Sequence, residues 1–133
     1  MGAIQDPTDE QQAAYRREAQ ERWGDTEAWR QSQERTKGWT KADEDRVKAE
    51  GAALVADLAA AMDEDPAGPA VQALVARHRA GIDVFYDCTD DIYAGLADMY
   101  VSDPRFAAVY DGARPGLAAF LRRAMLISLG KEA

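Results

Sequence analysis

Residues 89–110 read TDDIYAGLADMYVSDPRFAAVY. The stretch predicts two consecutive helices, because its apolar residues recur at helical spacing and do not alternate as in a strand. Thr89 or Asp90 is a suitable N-cap for the first helix. Asp103 and Pro104 favour the start of the second, with Asp at the cap and Pro at the first helical position. This part of the chain is therefore expected to be helical throughout.

The same pattern extends outward to both sides of this stretch. Upstream, Thr40 followed by Asp43 predicts the capped start of a long helix. A break at residues 65–69 separates it from a second helix that is expected to reach Phe85. Downstream, residues 111–116 are expected to form a loop before a last helix. With frequent Ala and few β-branched residues, the sequence predicts an all-α fold with five core helices.

The amino-terminal part has a different composition. Residues 5–46 contain no Leu, Val, Ile, Met or Phe, yet they hold every tryptophan of the chain: Trp23, Trp29 and Trp39. Ordering a residue costs about 1–2 kcal/mol of backbone entropy, which these few aromatics offset only by docking on another surface. We expect residues 1–46 to form a flexible flap of two helices, the first ending at Gly24, over a core of residues 47–133. The alternative is a solvated helix pair with incidental tryptophans.

Composition excludes several classes of function. The length of 133 residues suits one domain. The net charge is −8, and the basic residues are not clustered. Since phosphate binding needs such a cluster, we expect no direct nucleic-acid contact and no membrane partner. One cysteine excludes a disulfide framework, and no signal-peptide pattern is recognised at the start. These features favour a cytoplasmic protein.

Catalytic and metal chemistry have little support in the sequence. His78 is the only histidine and lies about 15 Å along a straight helix from Cys88, too far for a catalytic pair. A haem ligand at His78, or a cation among the aspartates near Asp91, would need partners that the sequence lacks. We expect no enzyme, no cofactor and no metal.

Aromatic residues are the more informative set. Several lie close together in the core sequence, and pockets for apolar ligands are usually lined in this way. Plain core packing is the alternative interpretation.

Three segments resemble one known family. Residues 22–29 (RWGDTEAW) are similar to the flap motif of the TipAS antibiotic-recognition domains, residues 85–88 and 95–106 to its central motif, and residues 115–122 to its last helix. The resemblance runs from about Tyr15 to Leu129.

The resemblance implies a globin-like core, and a flap that folds over bulky peptide-derived antibiotics such as thiopeptides. It also implies the effector domain of a MerR-type activator whose DNA-binding half is absent here, or alternatively a free-standing protein that sequesters the drug. Members that capture thiopeptides covalently use a cysteine where this chain has Gly95, so we expect reversible binding, with capture through Cys88 as the alternative. A structural or dimerisation domain is a further alternative. The expected ligand contacts are Trp23, Trp29, Phe85, Tyr86, Cys88, Asp91, Ile92, Tyr93, Gly95, Leu96, Met99 and Tyr100.

Overall fold

The computed structural model describes residues 26–132, together with Arg17 and Gly24. This part of the chain contains six helices and no strand. The helices are α1 (Glu27–Thr36), α2 (Lys41–Ala60), α3 (Pro69–Asp83), α4 (Asp90–Ser102), α5 (Pro104–Ala113) and α6 (Leu117–Ser128). The all-α prediction is confirmed, and α1 is the second of the two expected flap helices. The first, with Tyr15 and Trp23, lies outside the described residues.

Side-chain caps begin the helices where the sequence predicts them. Thr26 caps α1, Thr89 caps α4 and Asp103 caps α5, which has Pro104 in its first turn. At the start of α2, the Thr40 hydroxyl accepts from the Asp43 amide at 3.2 Å, and the Asp43 carboxylate accepts from the Thr40 amide at 2.9 Å. This capping box satisfies two backbone donors that the first turn leaves free.

The core forms where α4 and α6 pack together and α2 and α3 close over them. α6 contributes the most buried residues of any described helix, and α4 contributes Tyr93, whose side chain is fully buried. The largest fully buried side chains are Tyr93, Leu58, Leu117, Leu121, Met125 and Val71. No helix in the described part is long and apolar enough to cross a membrane.

Two predicted boundaries were wrong. Helix α3 ends at Asp83 and does not reach Phe85, because the chain turns there and the amides of Phe85 and Tyr86 both donate to the Ile82 carbonyl. Helix α5 continues to Ala113 through residues predicted as loop. The side chain of Asp111 accepts from the Ala118 amide at 3.0 Å, so it caps the following helix from within α5.

Two glycines of this region provide a test of the corrected boundary. Gly112 lies in α5 with open space around it, whereas Gly116 has a φ of 90° and a Met62 methyl 3.5 Å from where a Cβ would lie. We expect Gly112→Ala to raise the free energy of unfolding by about 0.5–1 kcal/mol and Gly116→Ala to lower it by about 1–2 kcal/mol. Urea unfolding of both variants measures the difference. Destabilisation by Gly112→Ala would argue for a loop at that position.

Candidate ligand-binding groove

A large groove opens between α2, α3 and α5. Its volume is about 1180 Å³, and it is open to solvent. Carbon atoms form most of its wall, which suits an apolar ligand. Its apolar lining side chains, from the three helices and from the segment that follows α3, include Val47, Leu54, Val55, Ile82, Val84, Phe85 and Val109.

Small residues on the facing helices leave this space open. Gly51 of α2 and Gly81 of α3 line the groove, and nothing lies within 4 Å of a Cβ added to either. Ala52, Ala53 and Ala56 on α2 and Ala80 on α3 add little more bulk. Larger side chains at these positions would fill the groove, so its existence depends on this glycine and alanine content.

The floor of the groove carries a cluster of one histidine and three tyrosines, and two of the tyrosines are hydrogen-bonded to the histidine. The Nδ1 atom of His78 lies 2.8 Å from the Tyr93 hydroxyl, and its Nε2 atom lies 3.3 Å from the Tyr100 hydroxyl. Tyr93 also donates to the Val75 carbonyl oxygen at 3.3 Å. The ring of Tyr110 packs on the ring of Tyr100 with centroids 4.9 Å apart. We call these four residues the floor cluster.

The floor cluster is polar but uncharged. Burial lowers the pKa of His78 from 6.5 to about 4, because the charged imidazolium loses its hydration there. Burial also raises the pKa of Tyr93, Tyr100 and Tyr110, which keeps their hydroxyls protonated. No buried side-chain nitrogen or oxygen in the described part lacks a hydrogen-bond partner. The floor therefore presents neutral hydrogen-bonding groups near pH 7.

Charged and aromatic residues border the groove. Arg77 of α3 lines it and pairs with Asp57 of α2 at 2.7 Å, which joins the two helices beside the groove. At one end, the rings of Trp39 and Phe85 pack with centroids 5.3 Å apart. Trp39 belongs to the short connection between α1 and α2, so this contact fixes the base of α1 beside the groove.

Polar contacts attach α1 to the segment that follows α3. Arg35 donates to the Asp83 carbonyl oxygen at 3.0 Å and pairs with the Asp87 carboxylate at 2.7 Å. The Gln31 side-chain oxygen accepts from the Asp87 amide at 2.7 Å. Helix α1 has no buried residue, and none of its residues lines the groove. It is docked at the edge of the groove through exposed polar groups.

The residues predicted to bind ligand fall into three places. Phe85 and Tyr100 line the groove. Tyr86 is half-buried and Cys88 is buried in the segment after α3, beside the α1 contacts, while Trp29 is half-buried on α1. Trp23 lies outside the described residues. Contact of each with a ligand stays a prediction.

The remaining predicted residues lie on α4. The Tyr93 hydroxyl belongs to the floor cluster, although its side chain is fully buried, and Ile92 and Leu96 pack against the core. Met99 is half-buried. Asp91 and Gly95 are exposed, and nothing lies within 4 Å of a Cβ added to Gly95.

Cys88 and His78 contact different partners. Both ring nitrogens of His78 contact tyrosine hydroxyls, whereas the Cys88 Sγ atom is 3.9 Å from the Thr89 carbonyl oxygen. Burial raises the pKa of the Cys88 thiol, so little thiolate forms near pH 7. Within residues 26–132, no three His, Cys, Asp or Glu side chains are grouped to hold a metal ion.

The sequence interpretation missed most of the groove. The helices that carry Leu54, Val55 and Ile82 were predicted only as parts of the helical core. The indication in the sequence was the density of glycine and alanine in these two helices. Facing helices with such small side chains either approach closely or leave space, and sequence alone does not decide between these outcomes.

Comparison with known proteins relates this fold to antibiotic recognition. The family model of the TipAS antibiotic-recognition domain matches residues 15–128. The solved structure of TipAS from Streptomyces lividans, in complex with nosiheptide in a study of thiopeptide antibiotic multidrug resistance, is similar with a TM-score of 0.78 and 38% identity. The match covers 91% of this chain and 93% of that chain. The expected globin-like all-α fold is confirmed by this similarity.

Curated relatives are longer transcription regulators. The HTH-type transcriptional activator TipA of Streptomyces coelicolor is 43% identical over 115 residues, which are 84% of this chain and 46% of that protein. The HTH-type transcriptional activator mta of Bacillus subtilis is 34% identical over 120 residues, which are 90% of this chain and 46% of that protein. The chain thus spans about half the length of the curated relatives it matches.

The lowered pKa of His78 predicts a pH dependence of stability. The unfolded chain binds a proton on this residue below about pH 6.5, whereas the folded chain binds it only near pH 4. The stability that neutral His78 contributes is therefore complete above the pKa of this residue in the unfolded chain. It is lost as the pH falls towards the pKa in the folded chain. Between about pH 7 and about pH 5 the native protein should lose about 2 kcal/mol more unfolding free energy than His78→Gln. Urea unfolding at both pH values measures this, and equal losses would contradict it.

Proposed function

Because the chain belongs to the family of TipAS antibiotic-recognition domains, we propose that it binds bulky, hydrophobic, peptide-type antibiotics of the thiopeptide kind in its groove. Binding is reversible and non-catalytic. The observation that carries the proposal is the open, carbon-lined groove of about 1180 Å³ between α2, α3 and α5. Pockets for ordinary drug-sized ligands measure roughly 300–1,000 Å³, so this volume suits a larger molecule.

The flap closes over the ligand from the edge where α1 is docked. Exposed ion pairs such as Arg35–Asp87 contribute only about 0–1 kcal/mol, and α1 buries no side chain against the core. Helix α2 runs unbroken across the boundary expected at residues 46 and 47. The hinge is therefore the connection at Gly38 and Trp39, before α2 begins.

The predicted contact residues fit this movement. Phe85 and Tyr100 contact the ligand from the groove wall and floor. Trp29, together with Trp23, stacks on the ligand from the flap, and Tyr86 and Cys88 lie where α1 docks. The α4 residues Asp91, Ile92, Tyr93, Gly95, Leu96 and Met99 complete the proposed set, with exposed Gly95 leaving room for a bulky ligand.

The thiol of Cys88 does not provide the binding energy. It is buried, burial raises its pKa, and it has no histidine beside it. An unactivated thiol reacts slowly with electrophiles, which supports reversible binding over covalent capture and over catalysis.

In the cell, the domain is the ligand-sensing effector of a MerR-family transcriptional activator in the cytoplasm. The curated relatives are HTH-type regulators about twice as long as the matched region, which supports this assignment. The alternative is a free-standing protein that sequesters the drug. Both functions need the same binding event, and the coding sequence upstream of Met1 in the native gene distinguishes them.

Nosiheptide is the direct probe of the proposed binding. Its addition should change the intrinsic tryptophan fluorescence, because the flap holds all three tryptophans. Gly81→Leu fills the groove from α3 without removing a contact, and should weaken binding at least tenfold. Mass spectrometry of the same mixture should show no covalent adduct and no cleaved drug.

Gly112→Leu is the matched control. Gly112 also lies in a helix with open space around it, but it does not line the groove, so this variant should bind as the native chain does. Absence of binding by the native chain, or equal weakening in both variants, would reject the groove as the site. A stable adduct lost in Cys88→Ser would support covalent capture.

Hydrogen exchange tests the flap. Without ligand, the amides of α1 should exchange much faster than those of α6, because α1 is held by exposed polar contacts and α6 by the core. Bound nosiheptide should slow exchange in α1 and leave α6 nearly unchanged. If α1 is as protected as α6 before any ligand is added, the segment is a fixed structural element and the flap proposal fails.

A further inference from the structure

Arg77 is the only Lys or Arg residue among the described residues that line the groove. Its planar guanidinium carries five N–H donors and cannot accept a hydrogen bond. Within residues 26–132, the hydrogen bond that it makes runs from Nη1 to the Asp57 carboxylate across 2.7 Å. Since the Arg77 side chain is half-exposed, its other N–H groups are open to water or to a ligand.

The ion pair with Asp57 restricts the guanidinium. Asp57 lies on α2 and Arg77 on α3, so both side chains are attached to helices that the core holds in place. A free arginine side chain loses much rotational freedom when it binds a ligand. Because Asp57 already restricts Arg77, a further hydrogen bond to a ligand costs less ordering than it would from an unpaired arginine.

Gly81 leaves space over the same part of α3. Residues 77 and 81 are one turn apart on one face of the helix. Helical side chains lean towards the amino-terminal end, so a side chain at position 81 would cover the turn that carries Arg77. Gly81 has none, and nothing lies within 4 Å of a Cβ added there. A ligand group in the groove can therefore reach the turn that carries Arg77.

The charges that border the groove are balanced. Glu50 is the other charged lining residue of the described part, and its carboxylate lies 3.9 Å from Nε of Arg46. Arg77 is paired with Asp57, and the floor cluster is neutral. A ligand carboxylate would lose hydration in an apolar groove and meet a guanidinium whose charge Asp57 already balances. An uncharged acceptor loses less hydration on the same path.

We propose that Arg77 determines the ligand specificity of the groove by donating an N–H to an uncharged hydrogen-bond acceptor, such as an amide or ester carbonyl oxygen. Its ion pair with Asp57 disfavours ligands that present a carboxylate there. This specificity deepens the proposed function and rests on it, since the groove must receive the ligand. A peptide-type ligand offers such carbonyl oxygens along its backbone.

Three small probes of one shape separate this specificity from antibiotic binding. Indole-3-acetone presents a ketone oxygen, 3-isobutylindole has a methyl group in its place, and indole-3-acetate presents a carboxylate. Each is titrated by amide NMR at pH 7, with the groove-lining Gly51 and Gly81 as reporters of the site. The ratio of the 3-isobutylindole to the indole-3-acetone dissociation constant measures the preference for an acceptor.

Two variants break the same ion pair from its two sides. Arg77→Met keeps the length of the stem but removes every donor, so the acceptor preference should fall about three- to tenfold. Asp57→Asn keeps the donors and unbalances the charge of Arg77. It should retain the acceptor preference and raise the affinity for indole-3-acetate about three- to tenfold. A merely structural ion pair would make both variants change the three probes alike.

Arg122→Met is the matched control. Arg122 also pairs with an aspartate, Asp98, at 3.0 Å, but it lies on α6 and does not line the groove, so its loss should change no probe ratio. An unchanged acceptor preference in Arg77→Met, an equal fall in Asp57→Asn, or no probe binding to the native chain would each overturn the proposal. Binding of nosiheptide with no effect of Arg77 on the probes would reject this specificity and leave the proposed function standing.

The reverse result is equally distinct. If the probes respond to Arg77 as expected while nosiheptide does not bind, the specificity of the groove holds and antibiotic binding by this chain is rejected.

Discussion

The packing between α2 and α3 determines both the core and the groove. The two helices are joined by a short connection, and near it they are closely packed, with Leu58 of α2 and Val71 of α3 fully buried. Towards their free ends the facing side chains shrink to glycine and alanine, and the helices no longer fill the space between them. The half-exposed Arg77–Asp57 ion pair joins the two helices beside the groove. One helix pair thus provides a dry core at one end and a ligand-sized opening at the other.

The floor cluster allows polar groups to lie at the boundary between these two regions. Burying an unpaired hydroxyl or imidazole costs several kcal/mol, but here His78, Tyr93 and Tyr100 satisfy one another. The lowered pKa of His78 keeps the cluster neutral, so no buried charge has to be compensated. The fully buried Tyr93 ring, which also lies beneath the Arg79 guanidinium at 5.1 Å, connects the cluster to α4. The groove floor therefore contains paired, neutral polar groups although its walls are apolar.

Local chemistry made much of the fold predictable. Thr40 with Asp43, and Asp103 with Pro104, fix helix starts by contacts within a few residues, so the sequence contains the complete information for them. The boundary at Asp111 was missed because its side chain caps α6 from inside α5, a contact across a turn. The groove was missed for a related reason. Gly51 and Gly81 are thirty positions apart in the sequence, and only the crossing of two helices brings them to one opening.

The weak docking of α1 follows from its composition and matters for binding. A helix that buried aliphatic residues against the core would close the groove edge permanently, and a ligand would have to break that packing. Helix α1 instead docks through Gln31 and Arg35. Their hydrogen bonds to the 83–87 segment are exposed, so water readily replaces them. In the proposed flap movement, opening therefore costs little, and closing over an apolar ligand removes the half-buried Trp29 from its remaining contact with water. Under the proposed function, the ligand supplies the hydrophobic surface that residues 1–46 lack, and part of its binding energy is spent on ordering them.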